Sequence, residues 1–253
     1  MNPHYFRRLI LLGCLVIPNA VAQIHPHFGI EAGVPLTDTL MSNSFSSAFL
    51  KVDSPVSSSF DRFNSKTKRL LIGPAFRVDL VRGLGLEIDA LYQRVNYDQM
   101  TISSSPGSFN QTFQQTTANR WQFPLLVQYG FAVSKAKLFV EAGPSISRIA
   151  NTEIRTTSIS SPSTSSTVST GPGQPTTIAG FTTGAGVDLA WRQLHLRPEF
   201  RYSHWFIPAS AFPLYGATFG GTISLGASPV IYNSPALPNF NQNEASFLLG
   251  LTF

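Results

Sequence analysis

The last nine residues of the chain alternate strictly between two kinds of side chain. The odd positions form an apolar row of Ala245, Phe247, Leu249, Leu251 and Phe253. The even positions between them carry Ser246, Leu248, Gly250 and Thr252. Because successive side chains of a β-strand point to opposite faces, this segment predicts a strand with one face against an apolar environment.

Seven earlier segments show the same two-residue period. They lie at about residues 27–35, 68–79, 84–92, 121–129, 138–146, 181–191 and 194–202. Together with the closing segment they make eight predicted strands. No stretch of 18 or more apolar residues occurs, so the sequence predicts no membrane-spanning helix.

The connections between these segments alternate between long and short. The long ones, rich in Ser, Thr, Pro and Asn, cover residues 36–66, 99–117, 151–177 and 207–242. The short turns are centred on Arg82-Gly83, Ser134-Lys135 and Arg192-Gln193. This alternation places all long loops at one end, and an even strand number with this loop pattern is typical of outer-membrane barrels. The sequence therefore predicts an all-β fold, an eight-stranded antiparallel up-and-down transmembrane β-barrel with long, unstructured extracellular loops. The low-complexity stretch 156–170 is expected to be a mobile, solvated loop tip.

Charged side chains concentrate on the face opposite the apolar rows. They are Glu31, Arg69, Arg77, Asp79, Glu87, Asp89, Arg120, Glu141, Asp188, Arg197, Glu199 and Arg201. A barrel in lipid turns its apolar rows outward and its polar rows into the lumen. An eight-stranded barrel is just wide enough for its own side chains to fill. We therefore expect these residues to pair in a plugged lumen, with strand glycines making room for them.

Aromatic residues lie near the ends of the outward rows. The residues expected at the loop-side interface are Tyr92, Trp121, Tyr202 and Phe206. The residues expected at the turn-side interface are Tyr129, Phe131, Trp191 and Phe253. Because amphipathic rings favour the headgroup level, both groups are predicted to form aromatic girdles.

The N-terminal residues resemble an export signal. Arg7 and Arg8 precede the apolar run 9–17, and Ala20-Val21-Ala22 supplies a small-x-small cleavage site. We therefore expect residues 1–22 to be a signal peptide and residues 23–253 to form the barrel domain. Cleavage would remove Cys14, the sole cysteine, and two arginines from a chain of formal net charge +5. The weakly basic remainder does not indicate nucleic-acid binding.

Four strand motifs carry a resemblance to a known family. They are Gly85 to Tyr92, Phe123 to Tyr129, Glu141 to Ser145 and Arg197 to Tyr202. In these motifs, and over the whole mature length, the chain resembles the PorT-like outer-membrane β-barrels, relatives of the OmpA/OmpX-type barrels. The resemblance implies a membrane-embedded barrel in a Gram-negative bacterium and carries no catalytic residues.

One segment offers a possible enzymatic site. Arg201-Tyr202-Ser203-His204-Trp205 is similar to the His-centred strand of lipid A deacylases, with His204 on the lipid-facing side. That family has a nucleophilic Ser two residues after the His, where this chain has Phe206, and Ser203 lies on the opposite face. Without a hydroxyl in reach of the base, the acyl-transfer arrangement is incomplete.

Metal and cofactor motifs are not indicated by the sequence. His25 and His27 stand two residues apart with no further close ligand. Gly184-Ala185-Gly186 lies within a predicted strand rather than before a helix, so it does not predict a phosphate site. We therefore expect no metal and no cofactor.

The sequence favours a non-enzymatic barrel that displays surface loops for adhesion, surface interaction or envelope integrity. The expected partners are outer-membrane lipid and lipopolysaccharide, the barrel-assembly machinery during insertion, and an unidentified extracellular partner of the loops. A monomer is expected. Two alternatives stay open: a lipid A-modifying hydrolase that uses His204, and a soluble periplasmic barrel that holds a ligand.

Overall fold

The computed structural model describes residues 25–40, 42–51, 54–80, 83–133, 136–161, 165–173, 175–191, 194–206 and 241–253. The expected signal peptide, most of the connection 207–242, and residues 81–82, 134–135 and 192–193 of the short turns lie outside these ranges. Twelve strands occur among the described residues. Their bounds are β1 His25–Pro35, β2 Asn43–Lys51, β3 Ser54–Ser65, β4 Leu71–Asp79, β5 Leu84–Asp89, β6 Leu91–Ser105, β7 Ser108–Val133, β8 Ala136–Ser161, β9 Ser165–Pro172, β10 Thr176–Trp191, β11 Leu194–Phe206 and β12 Asn243–Thr252.

The described strands close into a ring of eight antiparallel wall strands. Its order is β1, β4, β5 with β6, β7, β8, β10, β11 and β12, and β12 returns to β1. β5 and β6 form one wall strand interrupted at Ala90, whose backbone nitrogen donates to the oxygen of Pro74 at 3.0 Å. The eight predicted strands are confirmed. Closure removes the free sheet edges that lipid could not satisfy.

The closing strand forms the seam with the first strand. Ile30 lies opposite Leu251, and the backbones of Phe28 and Phe253 exchange hydrogen bonds of 3.0 and 3.3 Å. Both partners keep their apolar rows outward, where Ile30 and Leu251 are exposed. The two-residue period of the last nine residues therefore translates directly into the seam register.

Within the described ranges, the long connections 36–66, 99–117 and 151–177 contain β-structure. β2, β3 and β9 lie within them, and β6, β7 and β8 extend past the wall, giving a six-stranded sheet in the order β2-β3-β6-β7-β8-β9 that we call the crown. The expectation of unstructured loops is wrong for these described parts, including 156–161 and 165–170 of the expected mobile tip. Their Ser and Thr residues suit strands, and hairpin pairing satisfies the backbone groups that a loop would leave to water.

A β-bulge separates the crown from the wall in β8. Thr117 pairs with Glu153 while Asn119 pairs with Ala150, so β8 carries one extra residue. Asn151 has a φ of 52°, in the left-handed region that Asn tolerates. The extra residue reverses which side of β8 faces inward beyond this point.

The barrel has polarity opposite to that of a water-soluble protein. Large apolar side chains such as Ile30, Val127 and Leu249 are exposed on the outer surface, whereas charged side chains fill the interior. This is the arrangement of an outer-membrane β-barrel.

Among the residues that the structure describes, no helix is long and apolar enough to cross a membrane.

Candidate functional site

The middle of the lumen is organised around the guanidinium of Arg201 on β11. It donates to Glu141 from β8 at 2.8 Å, to Asp89 and Glu87 from β5 at 2.6 Å each, and to Glu31 from β1 at 3.3 Å. These five side chains are almost completely buried. One cation thus joins four strands around the ring through charge-assisted hydrogen bonds.

Glycine makes room for this pairing. A Cβ at Gly184, which lies between Glu141 and Arg201 in the sheet register, would stand 2.7 Å from Oε1 of Glu141 and 3.1 Å from Cγ of Arg201. The small residue leaves the space that the long side chains occupy in a narrow barrel.

A second guanidinium lies closer to the turn end. Arg197 contacts Glu87 through Nη1 at 2.5 Å, and its guanidinium lies 4.4 Å from the ring centre of Phe139. Its Nε and Nη2 have no hydrogen-bond partner among the described atoms. The cation is therefore held by one carboxylate and one aromatic face.

The turn-end mouth carries a mixed cluster of acids, bases and imidazoles. Arg77 donates to Asp188 at 3.0 Å, and Asp188 contacts Nδ1 of His195 at 2.8 Å. Nε2 of His27 lies 3.5 Å from Asp79, and the two imidazole rings stand 5.4 Å apart, edge to face. This half-buried cluster closes the mouth with pairs from four different strands.

The loop end of the lumen is closed by a further arginine. Arg120 forms a bidentate pair with Glu244 at 2.8 and 2.9 Å and donates to Ser147 at 2.8 Å. It also donates to Thr39, which comes from the connection after β1 and lies inside the mouth. Nε1 of Trp205 donates to the same Glu244 at 2.9 Å.

An apolar plug lies beside Arg120 at the loop end of the lumen. The lumen is therefore apolar in this part and charged in its middle. Its members all point inward and are buried: Leu40, Val95, Tyr97, Ala118, Ile149, Ile178 and Trp205. Leu40 reaches the plug from the connection after β1, whereas the others belong to wall strands. The described residues thus close the loop-side mouth with both charge pairs and apolar packing.

All but one of the predicted lumen residues lie in these clusters, including Glu199, which pairs with Arg201 at 2.5 Å. The exception is Arg69, whose side chain is 64% exposed and lies 3.6 Å from Asp38 at the rim. β4 begins at Leu71, so Arg69 precedes the strand. The two-residue period of β4 therefore does not determine which side of the wall the Arg69 side chain occupies. The expectation that Arg69 joins the lumen network is therefore wrong.

Several residues of these clusters were missed by reasoning from the sequence. Gln93, Glu244 and Thr39 surround Arg120, and His27 and His195 belong to the turn-end cluster. Gln93 and Glu244 lie on the inward side of their strands, together with predicted lumen residues or small residues. The two-residue period could therefore have identified both as lumen residues. Thr39 lies outside any strand, and no sequence signal marks it.

Carboxylates outnumber cations in the middle of the lumen. The oxygens of Glu31, Glu87 and Asp89, and those of Glu87, Glu141 and Glu199, lie within 4.8 Å of one another. Such spacing suits carboxylate ligands of a cation. In the structure the Arg201 guanidinium lies among them and supplies positive charge.

Most of the predicted girdle residues lie on the outer surface. The exposed ones are Trp121, Tyr129, Phe131, Tyr202, Phe206 and Phe253. Tyr92 is half-buried, 5.2 Å from the ring of Trp121, and its hydroxyl donates to Asn119. The side chain of Trp191 lies outside the described residues.

The ring of His204 is hydrogen-bonded to an amide side chain. Its Nδ1 lies 2.8 Å from Oδ1 of Asn243, which also accepts from the hydroxyl of Tyr202 at 2.6 Å. Ser203 points to the other side of the strand and lies 2.8 Å from the Thr182 hydroxyl. Among the described residues, the structure brings no serine or threonine hydroxyl into hydrogen-bond contact with the His204 ring.

Comparisons with known proteins give one named structural similarity. No family model matches the chain, and no curated protein matches it. The crystal structure of Neisserial surface protein A (NspA) is similar, with 10% sequence identity and a TM-score of 0.36. The match covers 90% of this chain and 96% of that chain.

Proposed function

We propose that this chain is a non-enzymatic outer-membrane β-barrel that presents its crown at the cell surface for adhesion, surface interaction or envelope integrity. In this proposal residues 1–22 direct export and are cleaved. The barrel-assembly machinery then inserts the mature chain, and the closing strand serves as both seam and assembly signal. The barrel works as a monomer, because its closed ring leaves no strand edge for a partner in the membrane.

The observation that carries the proposal is the reversed polarity of the ring. Apolar rows cover the outside, while Arg201 and its carboxylates are buried inside. Exposing such an apolar belt to water would be costly, whereas lipid accommodates it. The same arrangement argues against a soluble periplasmic barrel, whose ligand cavity would be lined mainly by apolar side chains.

The crown supports a role at the surface. It extends β6, β7 and β8 well past the wall and adds β2, β3 and β9. Its exposed residues include Phe109, Phe113 and Val168, which offer apolar contacts to an extracellular partner.

The lumen supports a structural role rather than transport or catalysis. The turn-end cluster, the Arg201 cluster and the apolar plug succeed one another along the interior and fill it with paired side chains. Lipid A hydrolysis is the weaker candidate, because His204 contacts Asn243 instead of a nucleophile. On the strand motifs quoted above, we also propose membership of the PorT-like barrels.

Outer-membrane fractionation tests this proposal. The full chain, expressed with its N-terminal segment in a Gram-negative host, should sediment with the outer membrane. It should also migrate faster on a gel before boiling than after, because the closed barrel resists detergent. Recovery in the soluble periplasmic fraction would contradict the proposal.

A further inference from the structure

Basic side chains collect on the outer surface at the level of the loop-side aromatic girdle and just past it. Lys68, Arg94 and Arg148 are all exposed, and we call them the basic rim. Arg148 pairs with Trp121 in the sheet register, and Arg94 follows Tyr92 by two residues on the same side of β6. The rim therefore begins beside the rings that mark the membrane interface, at Arg148, and continues just beyond them to Arg94.

The three cations occupy one continuous patch. The backbone nitrogen of Lys68 donates to the oxygen of Arg94 at 3.2 Å, so these residues are neighbours. Arg94 pairs with Asn119 on β7, which pairs with Ala150 on β8, two residues from Arg148. With adjacent strands about 4.8 Å apart, the patch spans about 15 Å.

These cations have no carboxylate partners among the described residues. The ion pairs on this side of the barrel use other groups: Lys66 with Asp98, Arg69 with Asp38 and Arg120 with Glu244. The carboxylates of the wall are turned inward, where Arg77, Arg197 and Arg201 hold them. Within the described ranges, the rim thus keeps three exposed positive charges with no negative charge bound to them.

We propose that the basic rim binds the phosphate groups of a phosphorylated glycolipid in the outer leaflet. Guanidinium groups match phosphate oxygens with two parallel hydrogen bonds, and the ammonium of Lys68 adds a third positive charge. The girdle below places acyl chains against the wall, so the headgroup of the same lipid lies at the level of the rim. This inference rests on the proposed membrane location and adds a specific lipid contact to it.

Binding of lipid A in detergent tests the inference. The purified full barrel is titrated with bisphosphorylated lipid A and, separately, with the same lipid after removal of both phosphates, and bound lipid is counted by native mass spectrometry. A basic residue near an anionic surface contributes about fivefold in affinity, so three contribute roughly a hundredfold. We expect the wild-type chain to prefer the phosphorylated lipid at least about tenfold.

A triple variant of the rim and a double variant of the crown locate the site. Lys68→Gln/Arg94→Gln/Arg148→Gln should lose the preference, while Arg62→Gln/Arg155→Gln should keep it. Arg62 and Arg155 are exposed crown residues, and Arg155 pairs with Gln115, six positions along β7 from Trp121. At about 3.3 Å per residue, this places Arg155 roughly 20 Å farther along the strand.

Several results would overturn the inference. Equal binding of the two lipids by the wild-type chain would do so, and this comparison needs no variant to fold. Equal loss in the crown control would also do so, since it would indicate general charge attraction. If the chain fractionates with the outer membrane but shows no phosphate preference, the inference fails and the proposed function stands. Recovery of the chain in the periplasm would instead overturn the proposed function.

Discussion

Arg201 donates to Asp89 at 2.6 Å across the full width of the barrel. β11 and β5, which carry these residues, are separated by three wall strands in either direction around the ring. Their pairing therefore connects opposite walls and fills the lumen between them. Because Asp89 is buried, it depends on Arg201 for its charge compensation, while Arg201 also pairs with other lumen carboxylates.

Replacing Arg201 should destabilise the barrel strongly. Arg201→Met leaves the carboxylates of Glu31, Asp89 and Glu141 buried without their cation, which we expect to cost about 3–5 kcal/mol. Urea unfolding of the barrel in lipid vesicles, followed by tryptophan fluorescence, measures this change.

Arg69→Met is the matched control for that experiment. Arg69 is exposed and pairs with Asp38 at 3.6 Å, and such surface pairs contribute about 0–1 kcal/mol. An Arg201→Met variant as stable as Arg69→Met would show that the lumen pairs do not hold the walls together.

A methyl group at Gly143 should impair folding. Its Cβ would lie 3.0 Å from the carbonyl carbon of Leu125 and 3.1 Å from Cα of Leu126, on the backbone of the neighbouring strand. We expect Gly143→Ala to cost roughly 1–3 kcal/mol because the backbone of β7 must shift. Gly250→Ala is the control, since the atom nearest to its added Cβ, the Cβ of Arg197, stands at 3.4 Å. Equal unfolding midpoints for the two variants would contradict this explanation.

The two-residue period predicted the wall, because it is a local property of each strand. It placed Arg77, Glu87 and Glu199 on the inner side without any knowledge of their partners. The period could not give the pairing itself, since which arginine meets which carboxylate depends on strand stagger and side-chain length. The period also gave the wrong position for Arg69, because this residue precedes β4 and does not belong to a strand.

The loop end was harder to predict for two physical reasons. The bulge at Asn151 inserts one residue into β8 and reverses its inner and outer sides. The apolar plug turns Val95 and Ile149 inward, against the rule that the lumen is polar. Its member Leu40 comes from the connection after β1, so only the folded chain brings it to the plug.

His204 should have no role in lipid chemistry. It contacts Asn243, Ser203 points inward, and the described part of the chain places no nucleophile beside it. Lipid A from cells that express the wild-type chain should therefore keep all its acyl chains, as should lipid A from cells that express His204→Ala. Mass spectrometry of extracted lipid A decides this. Loss of an acyl chain with the wild type but not with the variant would establish a hydrolase.

The reversed polarity of the ring can be measured directly with two tryptophans. Trp121 lies on the outer surface and is 38% exposed, whereas Trp205 lies in the lumen at 2%. Variants with a single tryptophan, made by changing the other two of the three to phenylalanine, report each side separately. In vesicles of lipid with brominated acyl chains, fluorescence of the Trp121 variant should be strongly quenched, and that of the Trp205 variant should be nearly unaffected. Stronger quenching of Trp205 than of Trp121, or equal quenching of both, would contradict the assignment of an apolar exterior and a polar, closed lumen.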